Sequence, residues 1–305
     1  MRVYGALISL SLIWGMSFVF IKWLLDPVGA WGSVFLRCSA AVLILFPFLW
    51  MRRGNIVRPI PWRSLVFVGV FNAGIPWGLI ALSETEINSS TAAVLNALTP
   101  ICTGLVGFLF FAIVLKKRQW LGIGLGFAGI LVLIEFNVGQ LFKESFVGIG
   151  TMVCATISYG FASQYTKKHL QSTGVLLITT CSLAIASVVG FIGTLVTGTT
   201  SRINADLVAD PLVLWSIIGL GCFGSGIAHL LFYYIVKNSS AEFATSVTYL
   251  VPVTAMVWGY VLLNEPITKN LAFGLVIIFI GVYLATRKPK RNTSQTNKQR
   301  VAGEG

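Results

Sequence analysis

Long apolar stretches separated by short polar joints run the whole length of the chain. Stretches of about 20 residues, the length a helix needs to cross a hydrocarbon core of roughly 30 Å, fall near 3–25, 29–50, 62–83, 91–115, 119–136, 147–166, 174–198, 212–236, 241–263 and 270–286. They predict ten transmembrane helices, and the joints leave no room for a soluble domain. The expected fold class is an all-α integral membrane protein. The first stretch follows Arg2 and continues to about Leu25 without an Ala-x-Ala-like cleavage site, so it reads as a retained helix and not as a signal peptide. Residues 288–305 are polar and basic, lack hydrophobic periodicity, and read as a disordered cytoplasmic tail.

Composition sharpens this. Of 305 residues, 56% are hydrophobic and 10% are charged, where a soluble domain carries roughly 25% charged residues. The net charge of +12 would point to nucleic acid in a soluble protein, but its placement assigns it to topology. With the N-terminus cytoplasmic and the spans alternating, seventeen of the 22 basic residues fall in inside connections. Lys22, Lys143, Arg202 and Lys269 fall outside, and Arg37 lies within a span. Lys and Arg in short loops resist translocation. Both termini are therefore expected in the cytoplasm of a cell inner (plasma) membrane protein, with the lipid bilayer and a small-molecule substrate as its partners. No nucleic acid is implied, and the state expected is a monomer or weak homodimer.

The two halves align with each other. Displaced by 152 positions, Leu98, Pro100, Gly107, Lys117, Gly122, Phe127 and Gly129 meet Leu250, Pro252, Gly259, Lys269, Gly274, Phe279 and Gly281. Displaced by 150, Asn88-Ser89-Ser90 meets Asn238-Ser239-Ser240; displaced by 145, Gly5, Trp14-Gly15 and Lys22 meet Gly150, Tyr159-Gly160 and Lys167. Five spans per half is an odd number, so a second copy enters the membrane from the opposite side. Inverted repeats of this kind are an architecture of alternating-access transporters.

Trp14-Gly15-Met16-Ser17-Phe18 in the first span, Phe35-Leu36-Arg37 in the second, Pro100 and Pro252 in the fourth and ninth, Asn264-Glu265-Pro266 after the ninth, and the paired glycines of the fifth and tenth occur in a characteristic order. On these residues the chain resembles the drug/metabolite transporter superfamily, specifically its ten-helix EamA-like branch, over about residues 3–287. The resemblance implies two EamA-like five-helix repeats, 1–137 and 138–287. It also implies a central cavity lined by the first, third, fourth, sixth, eighth and ninth spans, with the fifth and tenth peripheral. One departure stands out: Ile113 lies opposite Glu265, where the family often carries a second Glu, so Glu265 is assigned no essential paired role.

Discontinuous helices at matching places in two repeats point to a transporter's binding site. The third span carries Gly69, Asn72, Gly74, Pro76 and Trp77, and the eighth carries Gly219, Gly221, Gly224, Ser225, Gly226 and His229, at equivalent positions. These stretches are expected to wall the cavity. The GxxxG of Gly122 and Gly126 is expected to pack helices. His229 lies 8 residues before Lys237, about 12 Å along a helix; it either serves function or holds helices together as a neutral imidazole. Arg37 either binds a substrate carboxylate, snorkels, or pairs with an outer acid. Trp14, Trp77, Tyr159, Tyr249 and Trp258 can stack on an organic substrate, and Asn96, Gln164 and Thr248 add hydrogen-bonding capacity.

Cys38, Cys102, Cys154, Cys181 and Cys222 form no C-x-x-C and are read as packing residues, so neither a disulfide framework nor a metal site is indicated. No cofactor is implied, no catalytic residues are assigned, and the protein is read as a non-enzyme. The function expected is a secondary transporter exporting small organic metabolites such as amino acids. Its alternatives are a nucleotide-sugar or phosphorylated-sugar antiporter of the same superfamily and a membrane-embedded lipid-modifying enzyme. Each Asp and Glu is placed at or beyond a span end, so transport is expected to run by facilitated diffusion or exchange, with His229 the one midspan alternative for proton coupling.

Overall fold

The computed structural model describes residues 2–56, 58–87, 92, 95–133, 145–263 and 269–286. The repeat boundary expected at 137/138, the Asn88-Ser89-Ser90 and Asn264-Glu265-Pro266 motifs, and the tail at 288–305 lie outside them. Among the described residues all regular structure is helical, and each of the ten predicted stretches contains helix. Six runs are long and apolar enough to cross a membrane: Arg2–Ile21, Trp23–Met51, Trp62–Glu86, Phe146–His169, Val175–Val196 and Pro211–Asn238. The fourth, fifth, ninth and tenth stretches contain Thr99–Phe111, Lys117–Leu133, Val247–Leu263 and Lys269–Thr286.

Helix peripheries are covered with large apolar side chains: Leu43 is 75% exposed, Val196 81% and Trp215 66%. Burying one such side chain is worth roughly 1.5–3 kcal/mol, so a belt of them is stable only against lipid. The chain is an integral membrane protein.

The first two spans form one run of helix, Arg2–Met51, interrupted at Gly29 with φ 74 and ψ 175. That region of backbone space is open essentially to glycine alone, which fixes the joint between these spans at one residue. A different interruption occurs twice. The third span passes from Trp62–Gly69 through a π-helix, Val70–Gly74, into Ile75–Glu86. The eighth passes from Pro211–Ile218 through a π-helix, Gly219–Ile227, into Ala228–Asn238. These are the two glycine-rich stretches expected to be discontinuous. Widened turns of this kind are rare and frequently sit at functional sites.

Helix packing is close wherever glycine lines a contact, and the contacts come in pairs. A Cβ at Gly281 would lie 2.6 Å from the Gly122 carbonyl oxygen, and one at Gly129 would lie 2.8 Å from that of Gly274. Since Gly122 aligns with Gly274 and Gly129 with Gly281, the fifth and tenth spans make the same contact twice. Likewise Gly221 of the eighth span abuts Ala40 and the Arg37 carbonyl of the second, while Gly69 of the third abuts Ile185 and the Ser182 carbonyl of the seventh. Ala40 and Ile185, like Arg37 and Ser182, are separated by the same 145 positions that relate the first and sixth spans. The third span packs on the sixth and the first-second helix on the eighth; the fourth packs on the sixth and the first-second helix on the ninth.

Because backbone atoms cannot yield as a flexible side chain does, Gly281→Ala is expected to lower stability by about 1–3 kcal/mol through overpacking. Gly124→Ala, with nothing within 4 Å of its Cβ, serves as the neutral control. Thermal unfolding in detergent checks the pair.

Candidate substrate-binding cavity

The two π-helical segments face the same interior space, and each is tied to the first helix of the other half. A carbonyl freed inside a membrane needs a donor from the protein, because lipid supplies none. Trp14 Nε1 of the first span donates to the Gly224 carbonyl at 3.1 Å, and Ser158 Oγ of the sixth donates to the Phe71 carbonyl at 2.7 Å. The donors lie at neighbouring positions of the aligned first and sixth spans. The acceptors both lie in widened turns.

Between these ties lies a cavity whose empty space, counted with its open mouth, is about 710 Å³. Trp14, Ser17 and Ile21 line it from the first span, Arg37 from the second, and Asn72, Trp77 and Ile80 from the third. Asn96 and Thr99 come from the fourth, Tyr159 from the sixth, His229 and Phe232 from the eighth, and Thr245 to Val251 from the ninth. Its wall is aromatic on one side. The His229 ring meets Trp77 edge-on at 4.9 Å and 89°, with Trp14 at 5.9 Å, Tyr233 at 5.8 Å and Phe232 at 6.0 Å. His229 Nδ1 and Asn72 Oδ1 are buried without a hydrogen-bond partner among the described residues. Asn72 Nδ2 donates to the Tyr233 hydroxyl at 3.0 Å, which in turn donates to Ser182 Oγ at 3.2 Å.

Arg37 is the charged residue among the described lining residues and is 5% exposed. Its guanidinium carbon stands 3.8 Å from the centre of the Trp77 ring, and its Nε donates to Ser225 Oγ at 2.8 Å. Ser225 Oγ donates onward to the Leu220 carbonyl at 2.9 Å, within the π-helix. Removing an ion from water costs several kcal/mol. A desolvated cation–π contact returns about 2 kcal/mol or more, and a hydrogen bond to the charged group about 1.5–3 kcal/mol. Glu84 adds Coulombic attraction from the third span.

The EamA-like transporter family matches residues 1–135 and again residues 146–287. The chain belongs to the EamA-like transporter family. It is 30% identical over 301 residues to the uncharacterized inner membrane transporter YedA of Escherichia coli K12, covering 94% of both chains. An uncharacterized transporter of Archaeoglobus fulgidus is 24% identical over 283 residues, 90% of this chain and 95% of that protein. A solved crystal structure shares the fold at a TM-score of 0.71 and 15% identity, covering 93% of this chain and 97% of the other. Membership of a transporter family agrees with the reading of a non-enzyme.

In this EamA-like chain, eight of the residues singled out from sequence come together around the cavity: Trp14, Arg37, Asn72, Trp77, Asn96, Tyr159, His229 and Thr248. Gly224 and Ser225 stand one layer behind, holding Trp14 and Arg37. Four do not line it. A Cβ on Gly74 would strike Val189 of the seventh span, so this glycine admits a helix neighbour; Pro76 is buried where α-helix resumes. Tyr249 points to the fifth span, donating to the Ile123 carbonyl at 3.0 Å. Gln164 donates to the Thr103 carbonyl at 3.0 Å and to Glu242 Oε1 at 2.6 Å. Trp258 donates to the Leu12 carbonyl at 2.9 Å and does not line the cavity either.

Glu84 and Glu242 lie near helix ends, yet Glu242 is 6% exposed and both carboxylate oxygens of Glu84 are buried. Closeness to a helix end in sequence does not set exposure once other helices close over it. Sequence reasoning also missed Ser17, Thr99, Phe232 and Thr245. A helical signal for them exists: each lies three positions from Trp14, Asn96, His229 and Thr248, on the same helix face.

With the five native cysteines replaced, single cysteines at Thr99 and Thr248 are expected to react with a small water-soluble methanethiosulfonate reagent. Cysteines at Gly74 and Tyr249 are expected to remain at least ten-fold slower. Mass spectrometry of the detergent-purified protein checks the contrast without knowledge of the substrate.

Proposed function

We propose that this chain is a secondary transporter that exports small organic metabolites by alternating access between two inverted five-helix repeats. The observation that carries the reading is the pair of π-helical segments, at matching places in the third and eighth spans, that flank one cavity and are each held by the opposite half. Paired interruptions at a repeat interface are where transporters of this architecture bind their cargo and hinge. The doubled glycine contact of the fifth and tenth spans and the family's separate match to each half support the duplication. Placing both termini in the cytoplasm rests on the basic residues of the connections.

The driving force proposed is the substrate's own gradient or exchange against another substrate. His229 is packed among Trp14, Trp77, Phe232 and Tyr233, an aromatic setting suited to shaping a cavity wall. The deciding experiment is uptake and counterflow in proteoliposomes, screened against amino acids, purines and aromatic compounds. Saturable counterflow of one class supports a carrier; ungated leak of all of them would refute it. With the transported compound in hand, His229→Gln is expected to retain counterflow, and an imposed pH gradient is expected not to concentrate substrate. Uphill, pH-driven accumulation abolished by His229→Gln would overturn the uncoupled mechanism.

Orientation has its own test. Cysteines at Asn55 and Ser294 are expected to label only from the cytoplasm, and one at Asn137 only from outside. External labelling of Ser294 would sink the inverted-repeat reading.

A further inference from the structure

Among the described residues the cavity lining holds one cationic side chain, Arg37, and no acidic one; the buried carboxylate of Glu84, outside the lining, attracts it from the third span. Trp77 covers one face of its guanidinium and Ser225 occupies Nε, so the group is fixed in position at the cavity wall. A planar fork held this way matches a carboxylate, which accepts two parallel N–H donors. Beside it stand the apolar rings of Trp14, Trp77 and Phe232, with His229 between them. An ammonium group would find no carboxylate among the described lining residues, and a buried cation near a guanidinium is repelled.

The two repeats differ here. The position aligned with Arg37 in the second half is Ser182, which accepts a hydrogen bond from Tyr233. The positive charge is therefore a one-sided addition to an otherwise paired framework. Intramembrane ionisable residues are rare and by default functional.

We infer that the cavity selects organic anions, a carboxylate held by Arg37 with a flat apolar body against the Trp14–Trp77–Phe232 wall, over zwitterions and cations of the same shape. Ser225 is the positioning residue: it holds the guanidinium and, through the Leu220 carbonyl, ties it to the π-helix of the eighth span. This substrate class deepens the transporter reading and rests on it, although binding is measurable without transport.

The test uses the purified full chain and three probes that share a phenyl ring: phenylacetate, phenylalanine and phenylethylamine. Binding is followed by tryptophan fluorescence, since Trp14 and Trp77 line the cavity, and by thermal shift. Phenylacetate is expected to bind at least ten-fold more tightly than the other two. Arg37→Gln should remove at least ten-fold of that affinity and abolish the preference, while Arg37→Lys retains the preference with weaker binding. Ser225→Ala should weaken phenylacetate alone, by several-fold. If Arg37→Gln does not elute as a monodisperse species, the Arg37→Lys and Ser225→Ala comparison decides. Absence of phenylacetate binding at millimolar concentration, equal binding of phenylethylamine, or a phenylacetate affinity unchanged by every variant that folds would overturn the inference. Counterflow of a zwitterion or cation that is insensitive to Arg37 would also overturn it, yet leave the transporter reading standing. Arg37-dependent phenylacetate binding with no counterflow of any compound would do the reverse.

Discussion

A backbone carbonyl released from its helix inside a bilayer must be given a hydrogen-bond donor by the protein. This constraint organises the centre of the molecule. The widened turns at Val70–Gly74 and Gly219–Ile227 open carbonyls toward the interior, and Ser158 and Trp14 reach across from the other half to fill them. Each half thus stabilises the interruption in its counterpart. A helix break that would otherwise be a defect becomes an interface, and the cavity is the space left between two such interfaces.

Once the centre is fixed, the periphery follows from close packing. The fifth and tenth spans meet through Gly122, Gly126, Gly129, Gly274 and Gly281, backbone against backbone. In lipid there is no hydrophobic drive between helices, so van der Waals contact over small residues has to hold them. That crossing lies away from the cavity and repeats itself under exchange of the halves. The second span contributes Arg37 to the cavity lining, so the lining extends past the six spans that the family resemblance implies.

Two departures from symmetry are polar. Arg37 stands where its counterpart is Ser182. The Gln164–Glu242 bond joins the sixth span to the start of the ninth, and Gln164 also holds the Thr103 carbonyl of the fourth. A framework built from paired apolar contacts tolerates such additions because each is satisfied locally: the guanidinium by a ring face, a hydroxyl and the attraction of Glu84, the Glu242 carboxylate by an amide. Chemistry can then differ between halves while the packing stays matched.

The sequence by itself determined the membrane class, the positions of the apolar stretches and the two glycine-rich interruptions. Each follows from a local property: stretch length against bilayer thickness, and glycine density where a helix can widen. It also singled out Trp14, Arg37, Trp77 and His229, because polar and aromatic groups inside apolar runs need a reason to be there. Which face each side chain takes was decided only by tertiary structure. Gly74 and Gly224 both belong to the glycine-rich interruptions, yet one admits Val189 and the other holds the Trp14 indole. Tyr249 is one residue from Thr248, and that single step of about 100° around a helix turns it from the cavity to the Ile123 carbonyl. Glu84 and Glu242 sit near helix ends in the chain but are buried by neighbouring helices. Periodicity reports where a helix runs, whereas its neighbours, supplied by residues up to 246 positions away in sequence, decide what each side chain meets.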